Sequence, residues 1–261
     1  MRSRALTTLF LLAGAGGALA QDVTDDWEIV RQPEDKTVFA FVPTTTGLTI
    51  AFRCVDGVYG AVMAGLPVAP RQARIRTLRI GPSAEHLHDS VWSVTTDRTV
   101  AMADYPASLA RSLRDGGPVS IVVPGGGGEG RNLRHDLTLP ASSAAIDETL
   151  TACGRPLEDP RDALLPEIEE NGLPRGVVWT RQPRPTYPAT NYAEGFAVLT
   201  CVVQPDGGVD QCQVESEFPL DGGFGRAALR STRNARLTSP GETAGQYAPR
   251  MIGFRVNYRM R

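Results

Sequence analysis

Short apolar runs separated by turn residues dominate the first part of the chain. Runs rich in β-branched and aromatic residues recur nine times between Trp27 and Leu139, with turn signals such as Asp56-Gly57 between them. The predicted strands cover residues 27–30, 38–42, 48–54, 58–63, 75–80, 91–94, 100–104, 119–123 and 131–139. Many short strands at this spacing are typical of a β-sandwich or a barrel-like sheet.

Two segments with a helical period interrupt these strands. The first, residues 106–114, begins at a proline, which is favoured in a first helical turn, and a glycine follows it. The second begins after a serine N-cap at 142 or 143 and ends at Gly154. Residues 155–176 then contain four prolines and a cluster of acids, which break helices and block strand pairing. We expect no more than one helical turn in this linker.

A β-hairpin is the clearest local feature of the C-terminal part. Strand-forming runs at 196–203 and 209–215 flank Pro205-Asp206-Gly207-Gly208, where Asp and Gly favour the positive φ angles of a tight turn. Placing Asp206 and Gly207 as the two turn residues puts Cys201 directly opposite Cys212. Because opposed Cβ atoms lie roughly 4.5–5.5 Å apart, this register predicts a disulfide. With four cysteines in the chain, Cys54 is left to pair with Cys153 by elimination.

A helix and a strand follow the hairpin. One predicted helical face carries the small or apolar residues Phe224, Ala227, Ala228 and Ala235. The other face carries Arg226, Arg230 and Arg233, which form either a solvated face or a surface for an anionic partner. Residues 251–260 alternate, which predicts inward positions for Ile252, Phe254, Val256, Tyr258 and Met260. Gly253, Arg255, Asn257 and Arg259 then point outward.

The first 20 residues have the features of a cleaved signal peptide. Arg2 and Arg4 precede an apolar run, and small residues precede Gln21. An uncleaved inner-membrane anchor is the alternative, but a span needs about 20 predominantly apolar residues and this run is shorter. Export agrees with the four cysteines forming disulfides. Without Arg2 and Arg4 the chain has 25 basic and 29 acidic residues, a net charge of −4 that argues against nucleic-acid binding.

Signals for catalysis or metal binding are weak. The glycine-rich segment 125–130 is followed by Arg131-Asn132, where a phosphate-binding loop needs Lys and then Ser or Thr. His86 and His88 have no partner pair at metal-ligand spacing. His135 beside Asp136 has no nucleophile motif to complete a hydrolytic triad. We therefore expect no enzymatic activity, no metal and no cofactor.

The order of motifs in residues 177–261 resembles the C-terminal domain of TonB, the periplasmic energy transducer that engages outer-membrane receptors. The motifs are Arg181-Gln182-Pro183, Thr186-Tyr187-Pro188-Ala189, Glu194-Gly195, Pro205 to Asp210, Ser216, Phe224, Pro240 and the final strand. Each is weak alone, but their order and spacing are specific. The expected fold class is α+β: a signal peptide at 1–20, a β-rich N-terminal domain at 21–154, a linker at 155–176 and a TonB-like domain at 177–261.

The resemblance implies an antiparallel three-stranded sheet packed on a helix, with the last strand at an edge. In TonB-like domains a receptor peptide docks as an added strand at that edge, near the Tyr-Pro motif. The implied partner-binding residues are Gln182, Tyr187, Pro188, Arg255, Asn257 and Arg259. Alternatively, Tyr187-Pro188 only fixes the chain where it enters the domain. The resemblance also places Ala197, Leu199, Cys201, Val203, Cys212 and Val214 on the face beneath the helix.

The implied function is that of a periplasmic protein in envelope transmembrane transport, which binds an extended segment of an outer-membrane partner. TonB transducers carry an uncleaved membrane helix and a long Pro-rich spacer, and neither is visible in this sequence. The alternative is therefore a soluble periplasmic adaptor or structural module without energy coupling. Membrane contact is expected only if the signal is not cleaved, and the exposed last strand allows an edge-paired homodimer.

Overall fold

A computed structural model describes residues 26–168, 172–243, 245–247 and 250–260. The predicted signal peptide lies outside the described residues. Within the described ranges the fold is mixed and strand-rich, with fourteen strands in three sheets and three α-helices. The mixed class expected from the sequence is confirmed at this level.

The nine strands predicted in the N-terminal part are all present, and they form one antiparallel sheet. They are β1 (Glu28–Gln32), β2 (Thr37–Pro43), β3 (Thr49–Val55), β4 (Val58–Ala64), β5 (Ile75–Gly81), β6 (His88–Val94), β7 (Ala101–Ala103), β8 (Gly117–Val123) and β9 (Leu133–Leu139). Their order across the sheet is β1-β2-β3-β4-β7-β6-β5-β8-β9. The nine strands form one sheet that does not close on itself, so the expected sandwich or barrel-like sheet is wrong for this part of the chain.

Two helices cover the inner face of the nine-stranded sheet. Helix α1 (Pro106–Leu113) packs against β4, and α2 (Ala144–Ala152) packs against β2 and β3. Residues of the strands and both helices form one core, in which Phe52, Tyr59 and Trp92 are among the largest fully buried side chains. The helices thus occupy the place that a second sheet takes in a sandwich.

The predicted disulfide between Cys54 and Cys153 is confirmed. Cys54 lies in β3 and Cys153 directly follows α2, and their Cα atoms are 5.4 Å apart. The bond therefore fixes the end of α2 to the sheet that it covers.

The C-terminal part contains two smaller sheets. Strands β11 (Glu194–Val203), β12 (Val209–Phe218) and β14 (Arg250–Arg259) form an antiparallel sheet in the order β12-β11-β14. Helix α3 (Phe224–Ser231) packs against β11 and β12. This arrangement agrees with the expected sheet and helix, and β14 lies at an edge. Strands β10 (Val178–Arg181) and β13 (Arg236–Thr238) form a two-stranded sheet that the sequence did not predict.

The loop of the β11–β12 hairpin differs from the predicted turn by one residue. The main-chain N–H of Gln204 donates to the carbonyl of Gly208 at 2.8 Å, so the loop contains the three residues between them. Gly207 has a φ of 80°, as the last position of such a loop requires. The predicted two-residue turn is therefore wrong, because a third residue enters the loop.

A β-bulge in β12 restores the cysteine pairing. Gln211 has a φ of 49°, and the register shifts by one residue between Thr200 and Val202 of the partner strand. Cys201 consequently faces Cys212, with Cα atoms 4.1 Å apart, and the disulfide is confirmed.

Several finer predictions need correction. Helix α3 ends at Ser231, a 3₁₀ turn at Thr232–Asn234 follows, and Ala235 lies beyond the helix although it is buried. Met260 is 54% exposed because β14 ends one residue earlier. The linker contains a 3₁₀ helix at Pro160–Glu167, longer than the expected single turn.

The buried face of β11 splits into two clusters. Ala197 and Leu199 pack with Phe224 beneath α3, as expected. The cluster around Cys201 and Val203 instead contains Leu173, Val177, Leu237 and Ile252. The two-stranded sheet β10–β13 therefore covers the end of β11 that α3 is too short to reach.

Candidate functional site

The second face of the three-stranded sheet packs on the nine-stranded sheet. Arg255 of β14 donates to Ser93 Oγ of β6 at 2.6 Å and to Asp104 Oδ1, directly after β7, at 3.1 Å. Ser93 also donates to Asp104 Oδ1, at 2.8 Å. Asp104 is only 5% exposed. The side chain of Arg255, predicted to point outward, thus lies between the two sheets.

Burial dominates the electrostatics of the Asp104–Arg255 pair. It raises the pKa of the Asp104 carboxyl and lowers the pKa of the Arg255 guanidinium, although each group stabilises the charge of the other. Removing both charges from water is costly unless hydrogen bonds compensate. Ser93 supplies one such bond, and the ring of Phe196 lies 3.6 Å from the guanidinium carbon. The pair is therefore a buried, hydrogen-bonded contact between the sheets.

Further contacts join the same two sheets. Ser216 of β12 donates to the main-chain carbonyl of Asp104 at 3.2 Å, and Arg155, which follows α2, donates to the side chain of Gln213 at 3.0 Å. A Cβ atom at Gly253 would lie 2.2 Å from the hydroxyl oxygen of Tyr105. A larger residue at this position would have to displace the Tyr105 ring.

The outer edge of β14 is open beyond Gly253. The N–H of Gly253 donates to the carbonyl of Gly172 at 2.9 Å, away from β11, whereas the N–H of Met260 donates to Ala193 on the β11 side. Alternate residues of a strand point their main-chain groups to opposite edges. The N–H and C=O groups of Arg255, Asn257 and Arg259 consequently face away from β11. Within the described ranges no group forms a hydrogen bond with them.

A groove of about 1480 Å³ lies beside this open edge. Its walls come from β14, from β5, β6 and α1 of the N-terminal part, from residues 157–168 and Gly172 of the linker, and from residues 179–186, which we call the approach segment. Of the predicted partner-binding residues, Gln182, Arg255 and Asn257 line the groove. The volume exceeds the roughly 300–1,000 Å³ of a typical small-ligand pocket. The structure thus brings three predicted residues to one large groove.

The other three predicted residues lie outside the groove lining. The ring of Tyr187 packs edge-on against Phe224 and Tyr258, with centroid distances of 5.8 and 5.9 Å. Its hydroxyl donates to the carbonyl of Tyr192 at 2.6 Å, and Pro188 lies beside Gly223. These contacts favour the alternative in which Tyr187-Pro188 fixes the path of the chain. Arg259 is exposed and lies opposite Glu194 in the sheet.

Sequence reasoning missed the residues that the N-terminal part contributes. Asp104 ends a predicted strand, and Ser93 lies within another, so neither position has a pattern that distinguishes it. His88 and Val91, which line the groove from β6, have no signal either, because their role depends on which sheet packs against them.

The residues that could have formed a catalytic or metal-binding site do not come together in the described part of the chain. Asp136 accepts hydrogen bonds from Ser120 and Arg134, whereas His135 is buried with its Nε2 unpaired among the described residues. In the described ranges no three His, Cys, Asp or Glu side chains are placed to hold a metal ion. None of the helices in the described part of the chain is long and apolar enough to cross a membrane.

The fold and the groove define a mixed, strand-rich protein with an open sheet edge. The solution NMR structure of the C-terminal domain of Pseudomonas aeruginosa TonB is weakly similar to part of this chain, with 21% sequence identity and a TM-score of 0.29. The similarity covers 33% of this chain and 88% of that one. No protein-family model and no curated protein matches the chain.

Proposed function

We propose that this chain is a periplasmic TonB-like protein in envelope transmembrane transport, whose β14 edge binds an extended segment of an outer-membrane partner. The observation that carries the proposal is the open main-chain edge at Arg255, Asn257 and Arg259, beside a groove of about 1480 Å³. An added strand satisfies these N–H and C=O groups without a deep pocket. The order of the TonB-like motifs in the sequence supports this kind of partner, and two disulfides support an oxidising compartment.

The groove walls supply a source of sequence preference. Alternate side chains of a strand added to β14 point to opposite faces of the sheet. One set faces the wall formed by β5 and β6, where Ile75 is half exposed and His88 and Val91 line the groove. The N-terminal part therefore helps to select the peptide, while the β14 main chain holds it.

The test removes one outward main-chain donor. Asn257→Pro deletes an N–H that faces away from β11 and places the proline ring on the open edge, where proline is tolerated because no ladder bond is lost. The matched control, Asn257→Ala, removes the same side chain and keeps the N–H. Tagged mature protein is incubated with detergent-solubilised outer membranes of the source cells, and bound proteins are identified by mass spectrometry.

We expect an outer-membrane protein to be retained by the parent chain and by Asn257→Ala, and to be lost with Asn257→Pro. Thermal unfolding of the proline variant close to that of the parent verifies that the sheet is intact. Equal retention by all three proteins, or retention by none, would contradict strand addition at this edge.

The second candidate is a soluble adaptor without energy coupling. The buried Asp104–Arg255 contact favours it, because the sheet that would receive the peptide is attached to the N-terminal part. Cell fractionation and N-terminal sequencing separate the two candidates. Mature protein that begins at Gln21 and is free in the periplasm supports the adaptor, whereas an intact N-terminus in the inner membrane supports a transducer.

A further inference from the structure

Arginines are concentrated in two stretches that contain no acidic residue. Residues 171–193 and 222–241 have no Asp or Glu, and together they carry Arg175, Arg181, Arg184, Arg226, Arg230, Arg233 and Arg236. The whole chain, in contrast, has 29 acidic and 27 basic residues. The positive charge of these stretches is therefore a local feature of an otherwise slightly acidic protein.

The fold brings the two stretches together. Strand β10 pairs with β13, and the register, which shifts by one residue between Trp179 and Arg181, places Arg181 opposite Arg236. Like charges directly opposite each other destabilise a strand pair. Arg236 donates to the carbonyl of Ala235 at 2.7 Å, and neither arginine forms an ion pair with a described carboxylate. The strand pair thus places two positive charges together without an acidic partner.

A polar cleft of about 840 Å³ lies between the approach segment and the C-terminal end of α3. Its charged and polar lining includes Arg181, Arg184, Thr186, Arg230, Ser231 and Asn234, and no described carboxylate lines it. Three guanidinium groups beside hydroxyl and amide groups match an anion with several acceptor oxygens.

The C-terminal end of α3 affects how strongly the cleft attracts an anion. The C-terminal carbonyls of α3 carry a partial negative charge, which disfavours an anion. Arg230, in the last turn of α3, offsets this charge. Arg181 and Arg184 on the opposite wall then provide the net attraction.

We propose that this cleft binds a ligand that carries two or more phosphate groups. Guanidinium groups pair bidentately with phosphate oxygens, and three of them exceed what one carboxylate can occupy. The cleft is distinct from the peptide groove, although Trp179 and Gln182 of the approach segment line both. A lipid headgroup and a soluble phosphate compound share this chemistry, and the test separates them.

The first measurement is calorimetric titration of the mature full-length chain with inorganic tripolyphosphate at low salt. We expect saturable binding that Arg184→Gln and Arg230→Gln each weaken by about tenfold, the loss expected for one charged hydrogen-bonding group. Arg233→Gln is the matched control. It removes the same charge from an exposed position in the turn after α3, outside the cleft lining, and weakens binding by less than about twofold, as expected for a screened distant charge.

A second measurement uses the repulsion between Arg181 and Arg236. Tripolyphosphate raises the melting temperature of the parent chain because it binds the folded state. Arg181→Gln raises the melting temperature without ligand, since the repulsion is gone, and reduces the shift that the ligand causes. These two results together would show that the ligand binds at a defined site and does not act only by screening the charges of the protein.

Co-sedimentation with vesicles that contain cardiolipin, a lipid with two phosphate groups, identifies the source of the phosphate. Vesicle binding that tripolyphosphate competes away and that Arg230→Gln weakens supports a lipid headgroup. Tripolyphosphate binding without vesicle binding supports a soluble phosphate compound. The proposal is overturned by a lack of saturable tripolyphosphate binding, or by Arg233→Gln weakening it as much as Arg230→Gln does.

Discussion

The nine-stranded sheet and the three-stranded sheet bury their faces in different ways. The nine-stranded sheet covers its inner face with α1 and α2, through a continuous apolar core. The three-stranded sheet covers one face with α3, but its other face places Arg255 and the buried Glu215 toward the N-terminal part. Apolar burial is non-directional, whereas a buried charged contact depends on each partner. We infer that the three-stranded sheet depends on its neighbour more than the reverse.

Removing the disulfides one at a time should give the largest losses in the free energy of unfolding, and these losses should differ between the two regions. Cys54 and Cys153 are 99 residues apart, and replacing both with Ala should lower the free energy of unfolding by about 4–5 kcal/mol in the chain-entropy model. Cys201 and Cys212 are only 11 residues apart, and the same replacement should cost about 3 kcal/mol. Urea unfolding followed by circular dichroism measures both losses.

Tryptophan fluorescence assigns each loss to a region. Trp27 and Trp92 belong to the nine-stranded sheet and its core, whereas Trp179 packs edge-on against Phe254 of β14 at 5.7 Å. Variants that keep one tryptophan report each region separately. A larger loss for the short loop than for the long one would show that local strain, not chain entropy, governs these bonds.

Breaking the Asp104–Arg255 contact directly tests whether the three-stranded sheet depends on the nine-stranded sheet. Asp104→Ala leaves Arg255 buried without its partner and should lower the free energy of unfolding by about 3–5 kcal/mol. The Trp179 signal should change at lower urea than the Trp27 and Trp92 signals, since the three-stranded sheet loses its contact first.

The double variant Asp104→Leu/Arg255→Met serves as the control. It removes both charges and keeps side chains of similar size, so it should recover most of the stability. If Asp104→Ala costs less than about 1 kcal/mol, within the usual range of an exposed ion pair, the contact does not hold the sheets together.

The smallest expected effect is the pH dependence of stability that comes from one buried histidine of the nine-stranded sheet. Burial lowers the pKa of His135 in β9, so the folded state takes up its proton at a lower pH than the unfolded state. The stability that the neutral ring contributes is present above the ordinary imidazole pKa of about 6.5 and is lost as the pH falls below it. His135→Leu should flatten the decline in unfolding free energy between about pH 7 and pH 5.

The exposed His88 supplies the matched control for this experiment. His88→Gln should leave the decline unchanged. A decline between pH 7 and pH 5 that persists in His135→Leu would contradict this assignment. Carboxylates such as Asp147, whose pKa is lowered mainly by its hydrogen bonds with Arg114, lose their contribution only below about pH 5.

Sequence reasoning identified elements that have a repeating pattern. The nine N-terminal strands and the alternation from Ile252 to Tyr258 were predicted because each strand has one apolar face. The loop at Gly207 and the bulge at Gln211 were not, because a residue can enter a turn and be compensated by a bulge without changing that pattern. The predicted pairing of Cys201 with Cys212 was correct, although the prediction assumed a two-residue turn and no bulge.

The candidate sites were less predictable. Alternation placed Arg255 on the outer face, but it cannot tell whether that face meets water or another sheet. The short strands β10 and β13 contain four and three residues, too few to show a period, so the opposition of Arg181 and Arg236 appears only in the fold. The edge position of the last strand, by contrast, was implied by the TonB resemblance, and the order β12-β11-β14 agrees with it.

The distance along the chain between Asp104 and Arg255 has a consequence for synthesis. The two residues are 151 positions apart, and at roughly 5–20 residues per second β14 emerges on the order of ten seconds after Asp104. During this delay the nine-stranded sheet presents a carboxylate and uncovered strands that later contact β12 and β14. The nascent chain is therefore most exposed to wrong pairing after its first sheet has formed and before its last strand arrives.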